Sequence, residues 1–315
     1  MRGKYTIAIL WLAALPLRAP AQSITEYTIP TPNSYPFSIV AGPDGALWFT
    51  EVLGNKIGRV TTAGGFTEYP LPNRGSWPIW IKLGPDGALW FKEEGNRIGR
   101  ITVDGMITEY PVPTPGSSPW NIGLGPGGTL WFTEESGLKI GTITTAGVIT
   151  EYAALFPPWD LTAGPDGQIW LTGRSSNHIA SFTTAGVVTG VYTVPTRGGG
   201  PDVIITGPDS LLWFTEQYEN KIATITTAGA ITEYPVPTPD SQPGNITVGL
   251  NGNLWVTEHL GNHIAQSTTS GSITEYPVPT PNCCPNVIAP GPDGAMWFTE
   301  FQASKIGRIT ISGLR

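Results

Sequence analysis

Histidine and cysteine, which form many metal and catalytic centres, are scarce in this sequence. Its 315 residues include three His and two Cys, and the cysteines are adjacent, at Cys283 and Cys284. No His/Cys cluster has metal-ligand spacing, and the chain has neither a nucleophile elbow nor a glycine-rich phosphate loop. The sequence thus gives no motif for a zinc enzyme, a serine hydrolase or a nucleotide-binding protein. In an oxidising compartment the two cysteines either form a vicinal disulfide or stay free.

Charged residues are also few, at 13% of the chain, whereas glycine (40 residues) and proline (31 residues) are abundant. This composition favours strands and tight turns over helices. Because 40% of the residues are hydrophobic, the chain is too apolar to be disordered and can form a large core.

Long apolar runs are absent after residue 21. Residues 1–21 combine a basic start, a short apolar run and a final Ala-Pro-Ala, which predicts a signal peptide. We therefore expect an exported protein, secreted or periplasmic, without a membrane span and with one domain, residues 22–315. Removal of Arg2, Lys4 and Arg18 leaves 14 basic against 24 acidic residues. This balance disfavours nucleic acid as a partner.

One phrase, exemplified by Gly-Ala-Leu-Trp-Phe-Thr-Glu at residues 45–51, occurs in seven versions along the chain. The tryptophans of these versions are 39 to 43 residues apart and are Trp48, Trp90, Trp131, Trp170, Trp213, Trp255 and Trp297. A period of about 40 to 45 residues with several short β segments per unit is typical of propeller blades. The sequence therefore predicts an all-β fold, a seven-bladed β-propeller of four-stranded blades.

The chain ends predict how the ring closes. The mature sequence begins with a fourth-strand phrase, Ile24-Thr25-Glu26-Tyr27, and ends after a third-strand phrase, Lys305 to Thr310. We expect the N-terminal strand to complete the last blade, which removes free sheet edges.

Chain direction predicts two faces of the ring. Gly-Pro-Asp turns such as Asp44 join the first and second strands and define the bottom face, where ordinary turn chemistry explains the aspartates. The top face then carries a glutamate at the end of each second strand, except in blade 4, which has Gly173. These glutamates either form a carboxylate ring that holds a cation or cap loop amides within each blade.

Positions that break the repeat on the top face are the candidate ligand-binding residues. They lie around the proline that begins each first strand, or directly after the second strand, and are Tyr35, Phe37, Trp77, Trp80, Trp120, Trp159, Arg174, Asp202 and Asn286. Aromatic residues dominate blades 1 to 4, and small or polar residues dominate blades 5 to 7. This division predicts a top-face pocket for a small-molecule or peptide ligand in a monomeric protein. Alternatively, the aromatic rings fill the central channel.

The phrases GPDGALWFTE, NKIGRITT and ITEYPVPTP resemble those of the streptogramin B lyase (virginiamycin B lyase) family over all seven blades. The resemblance implies a Mg²⁺-dependent lyase that opens a cyclic depsipeptide by elimination across its ester C–O bond. It also implies top-face carboxylates and imidazoles near the last blades. We therefore regard Glu300, Glu258 and His259 as the candidate catalytic residues.

Two family histidines are missing at the corresponding positions. The family pattern has Glu-Pro-His at the start of the last blade, where this chain has Cys284-Pro285-Asn286, and a histidine one blade earlier, where it has Gly244. Two alternatives to the lyase therefore stay open. One is a non-catalytic propeller that binds a peptide or glycan. The other is a metal-dependent, lactonase-type hydrolase with a central cation near Asp160, Asp202, Asn245 and Asn286.

Overall fold

The computed structural model describes residues 22–311, in which 28 strands form seven antiparallel four-stranded sheets. The predicted signal peptide lies outside the described residues. Blade 1 contains β2 (Pro36–Ala41), β3 (Ala46–Glu51), β4 (Lys56–Thr61) and β5 (Phe66–Pro70). Blade 2 contains β6 (Ile81–Leu83), β7 (Leu89–Glu93), β8 (Arg97–Ile101) and β9 (Ile107–Pro111). Blade 3 contains β10 (Pro119–Leu124), β11 (Leu130–Glu134), β12 (Lys139–Ile143) and β13 (Ile149–Ala153), with a 3-10 turn at Pro126–Gly128.

The remaining four blades repeat this order. Blade 4 contains β14 (Leu161–Ala163), β15 (Ile169–Gly173), β16 (His178–Phe182) and β17 (Val188–Thr193). Blade 5 contains β18 (Pro201–Thr206), β19 (Leu212–Glu216), β20 (Lys221–Ile225) and β21 (Ile231–Pro235). Blade 6 contains β22 (Pro243–Val248), β23 (Leu254–Glu258), β24 (His263–Ser267) and β25 (Ile273–Pro277). Blade 7 contains β26 (Pro285–Pro290), β27 (Met296–Glu300), β28 (Lys305–Ile309) and the N-terminal β1 (Ile24–Thr28).

The N-terminal strand closes the ring, as the sequence predicts. β1 pairs with β28 in antiparallel register, from Ile24 opposite Ile309 to Thr28 opposite Lys305. The seven-bladed all-β architecture is likewise confirmed. Among the described residues no helix is long and apolar enough to cross a membrane.

The recurring tryptophans form the packing between and within the blades. All seven are buried, and each stacks on a fourth-strand tyrosine of its own sheet, such as Trp48 on Tyr69 at 5.4 Å between ring centroids. A buried Trp removes about 200 Å² from water, which corresponds to about 5 kcal/mol of gross burial. The same tyrosines contact a turn of the next blade. At Gly64, which has φ +89°, a Cβ would lie 2.7 Å from the Tyr27 ring, so only glycine fits.

The Gly-Pro-Asp turns are structural. The Asp44 carboxylate accepts a hydrogen bond from Trp48 Nε1 at 3.0 Å and pairs with Arg59 at 2.6 Å. The hydrogen bonds from Trp48 and Arg59 hold the pKa of Asp44 below its usual value, although partial burial opposes them. Each such aspartate thus fixes the indole of its own blade at the bottom face.

Threonines at the tops of the second strands connect neighbouring blades. Thr299 Oγ1 in blade 7 donates to the Phe37 carbonyl of blade 1 at 2.8 Å and accepts from the Val287 amide at 3.1 Å. Equivalent bonds from Thr50, Thr133, Thr172, Thr215 and Thr257 reach the carbonyls of Ile79, Trp159, Asp202, Gly244 and Asn286. The residue after each first-strand proline is therefore held by the preceding blade in six of the seven cases.

Candidate functional site

First strands begin and second strands end on one face of the ring. Pro36 pairs with Glu51 in blade 1, and the same proline–glutamate pair occurs in blades 3, 5, 6 and 7. The first strands of blades 1, 3, 5, 6 and 7 carry a register shift directly after this proline. Bulges of this kind redirect a side chain out of the sheet. In these five blades the residue after the proline therefore stands at a bulge, and the threonine bonds hold its carbonyl in every blade except blade 3.

A pocket of about 250 Å³ lies at this place, and we call it the mouth pocket. It is lined by Phe37, Trp120, Trp159, Arg174, Asp202, Gln217, His259, Asn286 and Phe301. Six of the nine candidate ligand-binding residues line it together with His259. Gln217 and Phe301 were not among the candidates, although both directly follow a second strand, as Arg174 and His259 do. That shared position is the sequence signal that could have identified them.

The aromatic side of the mouth pocket is a connected set of rings. Trp120 and Trp159 are in contact with centroids 4.3 Å apart and ring planes tilted by 32°, and Phe37 contacts Trp120 edge-on at 6.4 Å. The Lys92 ammonium lies 5.8 Å from the Trp120 ring, where the repeat has a threonine in six blades. Lys92 is buried and pairs with Glu94 at 2.7 Å. The ammonium group thus forms a cation–π contact with Trp120.

The polar side of the mouth pocket contains one carboxyl group, Asp202. Its Oδ1 accepts a hydrogen bond from Trp159 Nε1. Burial raises the pKa of Asp202 to about 6, against the opposing effects of the Arg174 charge and the Trp159 bond. Asn286 Nδ2 donates to the Phe37 carbonyl at 3.0 Å. Burial lowers the pKa of His259, so its imidazole is neutral at pH 7.

Three candidate ligand-binding aromatics lie outside the mouth pocket. Tyr35 and Trp77, which precede the proline, have left-handed backbones with φ of +54° and +38°. Tyr35 packs edge-on against Phe301 at 5.1 Å, and Trp77 is 48% exposed. Trp80 lines a separate pocket of about 330 Å³ in the central channel. The left-handed backbone before the proline directs Tyr35 and Trp77 away from the pocket that residues after the proline line.

Glu258 and Glu300 are also not in the mouth pocket, in contrast to the expected catalytic role at the top face. Both are fully buried. The Glu258 carboxyl lies 3.5 Å from Nδ1 of His263 rather than beside His259, because successive side chains of a strand point to opposite sides. Burial raises the pKa of Glu258 and of Glu300 to about 8. Neither carboxyl can touch a ligand in the mouth pocket from this position.

The residues of the mouth pocket do not fit the Mg²⁺ that the resemblance implies. Magnesium needs several oxygen ligands, including carboxylates. The pocket offers one carboxyl, which is bonded to an indole and faces a guanidinium. Within residues 22–311, no group of three or more His, Cys, Asp or Glu side chains could hold a metal ion.

The four residues suggested for a central cation do not converge. Asp202 and Asn286 line the mouth pocket, whereas Asp160 and Asn245 line the channel pocket. Asp160 Oδ2 accepts from the Ile204 amide at 2.8 Å. Asn245 Oδ1 accepts from the Ile288 amide at 3.1 Å. The latter two side chains therefore link neighbouring blades.

The adjacent cysteines are buried free thiols. Burial, followed by the nearby charge of Glu300, raises the pKa of the Cys283 thiol. Cys283 occupies the position that a serine has in blades 1, 2, 3 and 6. It therefore packs as a small side chain and does not carry a reactive thiolate at neutral pH.

Comparison with known proteins agrees with this architecture. The profile of the virginiamycin B lyase family matches residues 18–157 and 154–314. The virginiamycin B lyase of Staphylococcus aureus superposes with a TM-score of 0.87 and 38% identity, over 92% of this chain and 100% of that one. Its catalytically inactive His-to-Ala variant, solved with quinupristin, gives the same values. A streptogramin B lyase superposes at 0.86 and 36% identity, over 92% of this chain and 97% of that one.

Curated virginiamycin B lyases match over a short segment. The Bacillus licheniformis protein is 46% identical and the Saccharopolyspora erythraea protein 49% identical, each over 41 residues. These alignments span 13% of this chain and 14% of each relative. Since the family profile and the superpositions span nearly the whole propeller, the chain belongs to the virginiamycin B lyase family.

Proposed function

We propose that this protein is an exported, monomeric binding propeller whose mouth pocket holds an amphipathic cyclic peptide or depsipeptide. The observation that carries this proposal is the convergence of Phe37, Trp120, Trp159, Arg174 and His259, from four different blades, on one pocket. Mostly aromatic walls with a few polar groups are typical of small-ligand sites.

The relative that contains quinupristin supports this class of ligand. The S. aureus variant has the same fold over its whole length. A ligand in the mouth pocket can also reach the exposed Tyr218, whose ring lies 4.9 Å from the Arg174 guanidinium. Binding needs only these surfaces and no metal, which agrees with the donor set of the pocket.

Titration of the full mature chain with quinupristin, followed by tryptophan fluorescence, tests the proposal. Trp120 and Trp159 lie in the pocket, so we expect a saturable change that Trp120→Ala weakens at least ten-fold. Trp77→Ala is the matched control, because that tryptophan lies outside the pocket. An unchanged signal by fluorescence and no heat by calorimetry would refute the proposal.

A second candidate is elimination across the ester, and His259 favours it. Its neutral imidazole lines the pocket and can accept a proton from the carbon next to the one that carries the ester oxygen. The C–H electrons then form the double bond, the C–O bond breaks, and the ester oxygen leaves as a carboxylate. No water is consumed.

Chromatography with mass spectrometry after incubation distinguishes the alternatives. Binding leaves the cyclic depsipeptide unchanged, elimination gives an isomer of equal mass and different retention, and hydrolysis adds the mass of water. If the isomer forms, we expect His259→Gln to abolish it while tryptophan quenching persists. An isomer formed equally by His259→Gln would exclude His259 as the base.

A further inference from the structure

Arg174 has an unusual environment for an arginine of this protein. It follows the second strand of blade 4, and its guanidinium contacts two rings, 4.6 Å from the Trp159 centroid and 4.9 Å from the Tyr218 centroid. Of its donors, Nη2 bonds to Gln217 Oε1, whereas the buried Nε has no partner. Four other arginines, Arg59, Arg97, Arg100 and Arg308, form ion pairs.

The two aromatic rings hold the guanidinium through cation–π contacts. Its N–H groups lie at the edges of the planar group and match the two oxygens of a carboxylate. Arg174 lines the mouth pocket and also a second pocket of about 240 Å³ with Glu135, Ser175 and Tyr218. The open donors are thus next to space that a ligand can occupy.

The surrounding charges favour a ligand with one negative charge over a dianion. Asp202 stands near Arg174 in the mouth pocket, and Glu135 lines the second pocket. A phosphate dianion carries twice the charge of a carboxylate, so the two carboxyl groups would repel it more strongly. The adjacent pair of Trp120 and Trp159 supplies a stacking surface for a ring.

We propose that Arg174 binds a ligand carboxylate, and that the preferred ligand carries an aromatic ring next to it, as at the C-terminus of a peptide that ends in an aromatic residue. This inference rests on the proposed binding function; because a cyclic peptide has no free C-terminus, it extends the ligand class to linear peptides. Elimination across an ester would release the same group, so an opened depsipeptide also belongs to this class.

Two small probes test the carboxylate directly. N-acetyl-L-phenylalanine carries the ring and the acid, and N-acetyl-L-phenylalaninamide differs only by a neutral amide. In calorimetric and fluorescence titrations of the mature protein, we expect the acid to bind at least ten-fold more tightly than the amide. Arg174→Gln should reduce this ratio to about one, and Arg174→Lys should retain a small part of it, since a lysine keeps charge but not the planar fork.

The control is Arg197→Gln, which removes an exposed arginine from the loop between β17 and β18; its ratio should equal that of the wild type. Thermal unfolding of each variant verifies the fold. Equal affinity of both probes for the wild type, or an unchanged ratio in Arg174→Gln, would overturn the assignment of Arg174. If, in that case, Trp120→Ala lowers the affinity for both probes equally, binding in the mouth pocket is supported but recognition of the carboxylate is not. If neither probe binds, the assignment fails, and quinupristin titration decides the binding function separately.

Discussion

Blades 1 and 4 have the same four strands but different groups at the top of the sheet. In blade 1, Lys56 Nζ pairs with Glu68 at 2.7 Å and donates to Thr31 Oγ1 at 2.6 Å, beside the buried Glu51 and Ser34. Blades 3, 5 and 7 repeat the bond between lysine and the fourth-strand glutamate. A network of charged and hydroxyl groups is therefore the ordinary framework of this face.

Blade 4 replaces that framework with apolar contacts. Gly173 stands at the position of Glu51, His178 at that of Lys56 and Val191 at that of Glu68, while Phe156 fills the space. The Phe156 ring stacks on His178 at 5.9 Å, and a Cβ at Gly173 would overlap it. The glutamate is thus missing from blade 4 where a phenylalanine occupies its place. The same blade, without the polar framework, supplies Trp159 and Arg174 to the mouth pocket.

Removal of the phenylalanine should break blade 4 most severely. Phe156→Ala leaves a cavity beside Gly173 and should lower the free energy of unfolding by about 3 kcal/mol. Ser34 stands at the corresponding position of blade 1, two residues before the first-strand proline. Ser34→Ala should lower the free energy of unfolding by less than about 1 kcal/mol. Chemical denaturation of both variants measures the difference. Equal losses in the two blades would contradict the role assigned to Phe156.

Restoration of the missing glutamate should also be unfavourable. Gly173→Glu forces a side chain into the Phe156 ring and Ser176 Oγ, and overpacking of this kind costs about 2 kcal/mol. In the double variant, Phe156→Ser leaves space for the new glutamate side chain and should restore part of the lost free energy of unfolding. If Gly173→Glu alone were as stable as the wild type in denaturant titration, the substitutions in blade 4 would be independent of one another.

The fold and part of the site could be predicted from sequence because the repeat gives each residue a position within its blade. The tryptophan period gave the blade number, and the N-terminal Ile24–Thr28 gave the closure. Phe37, Trp120 and Trp159 were identified as residues after the proline. Tyr35 and Trp77 were misplaced because a positive φ cannot be recognised from residue type. Phe156 was missed because its partner Gly173 is distant in sequence, so only the folded sheet brings them together.

A pH dependence should distinguish the two blades further. Burial, then the charge of Glu68, raises the pKa of Glu51 to about 7. The folded pKa exceeds the unfolded value of about 4.5. The contribution of Glu51 to the free energy of unfolding is therefore fully present below pH 4.5 and is lost as pH rises through 7. The free energy of unfolding of Glu51→Gln should therefore exceed that of the wild type by on the order of 1 kcal/mol at pH 8 and should equal it at pH 4.5.

Thermal unfolding at pH 4.5 and pH 8 measures this gain, and Glu68→Gln is the control of opposite sign. Hydrogen bonds from Lys56 and Thr31 hold the pKa of Glu68 below its usual value, although its partial burial opposes them. Its stabilisation is present above about pH 4.5 and is lost on acidification, so Glu68→Gln should destabilise the protein at pH 8. A Glu51→Gln variant less stable than the wild type at pH 8 would show that the buried carboxyl is ionised and favourably bonded.

The smallest effect is expected at Trp77, an aromatic residue that precedes its proline, in contrast to Trp159 of blade 4, which follows it. Trp77 is 48% exposed and does not line the mouth pocket, so Trp77→Ala should change probe affinity less than two-fold. Trp159→Ala removes a wall of the pocket and the support of Arg174, so it should weaken the acid probe at least ten-fold. Calorimetric titration of both variants provides the ratio. A loss at Trp77 equal to that at Trp159 would place part of the ligand against blade 2, outside the mouth pocket, because Trp77 does not line that pocket.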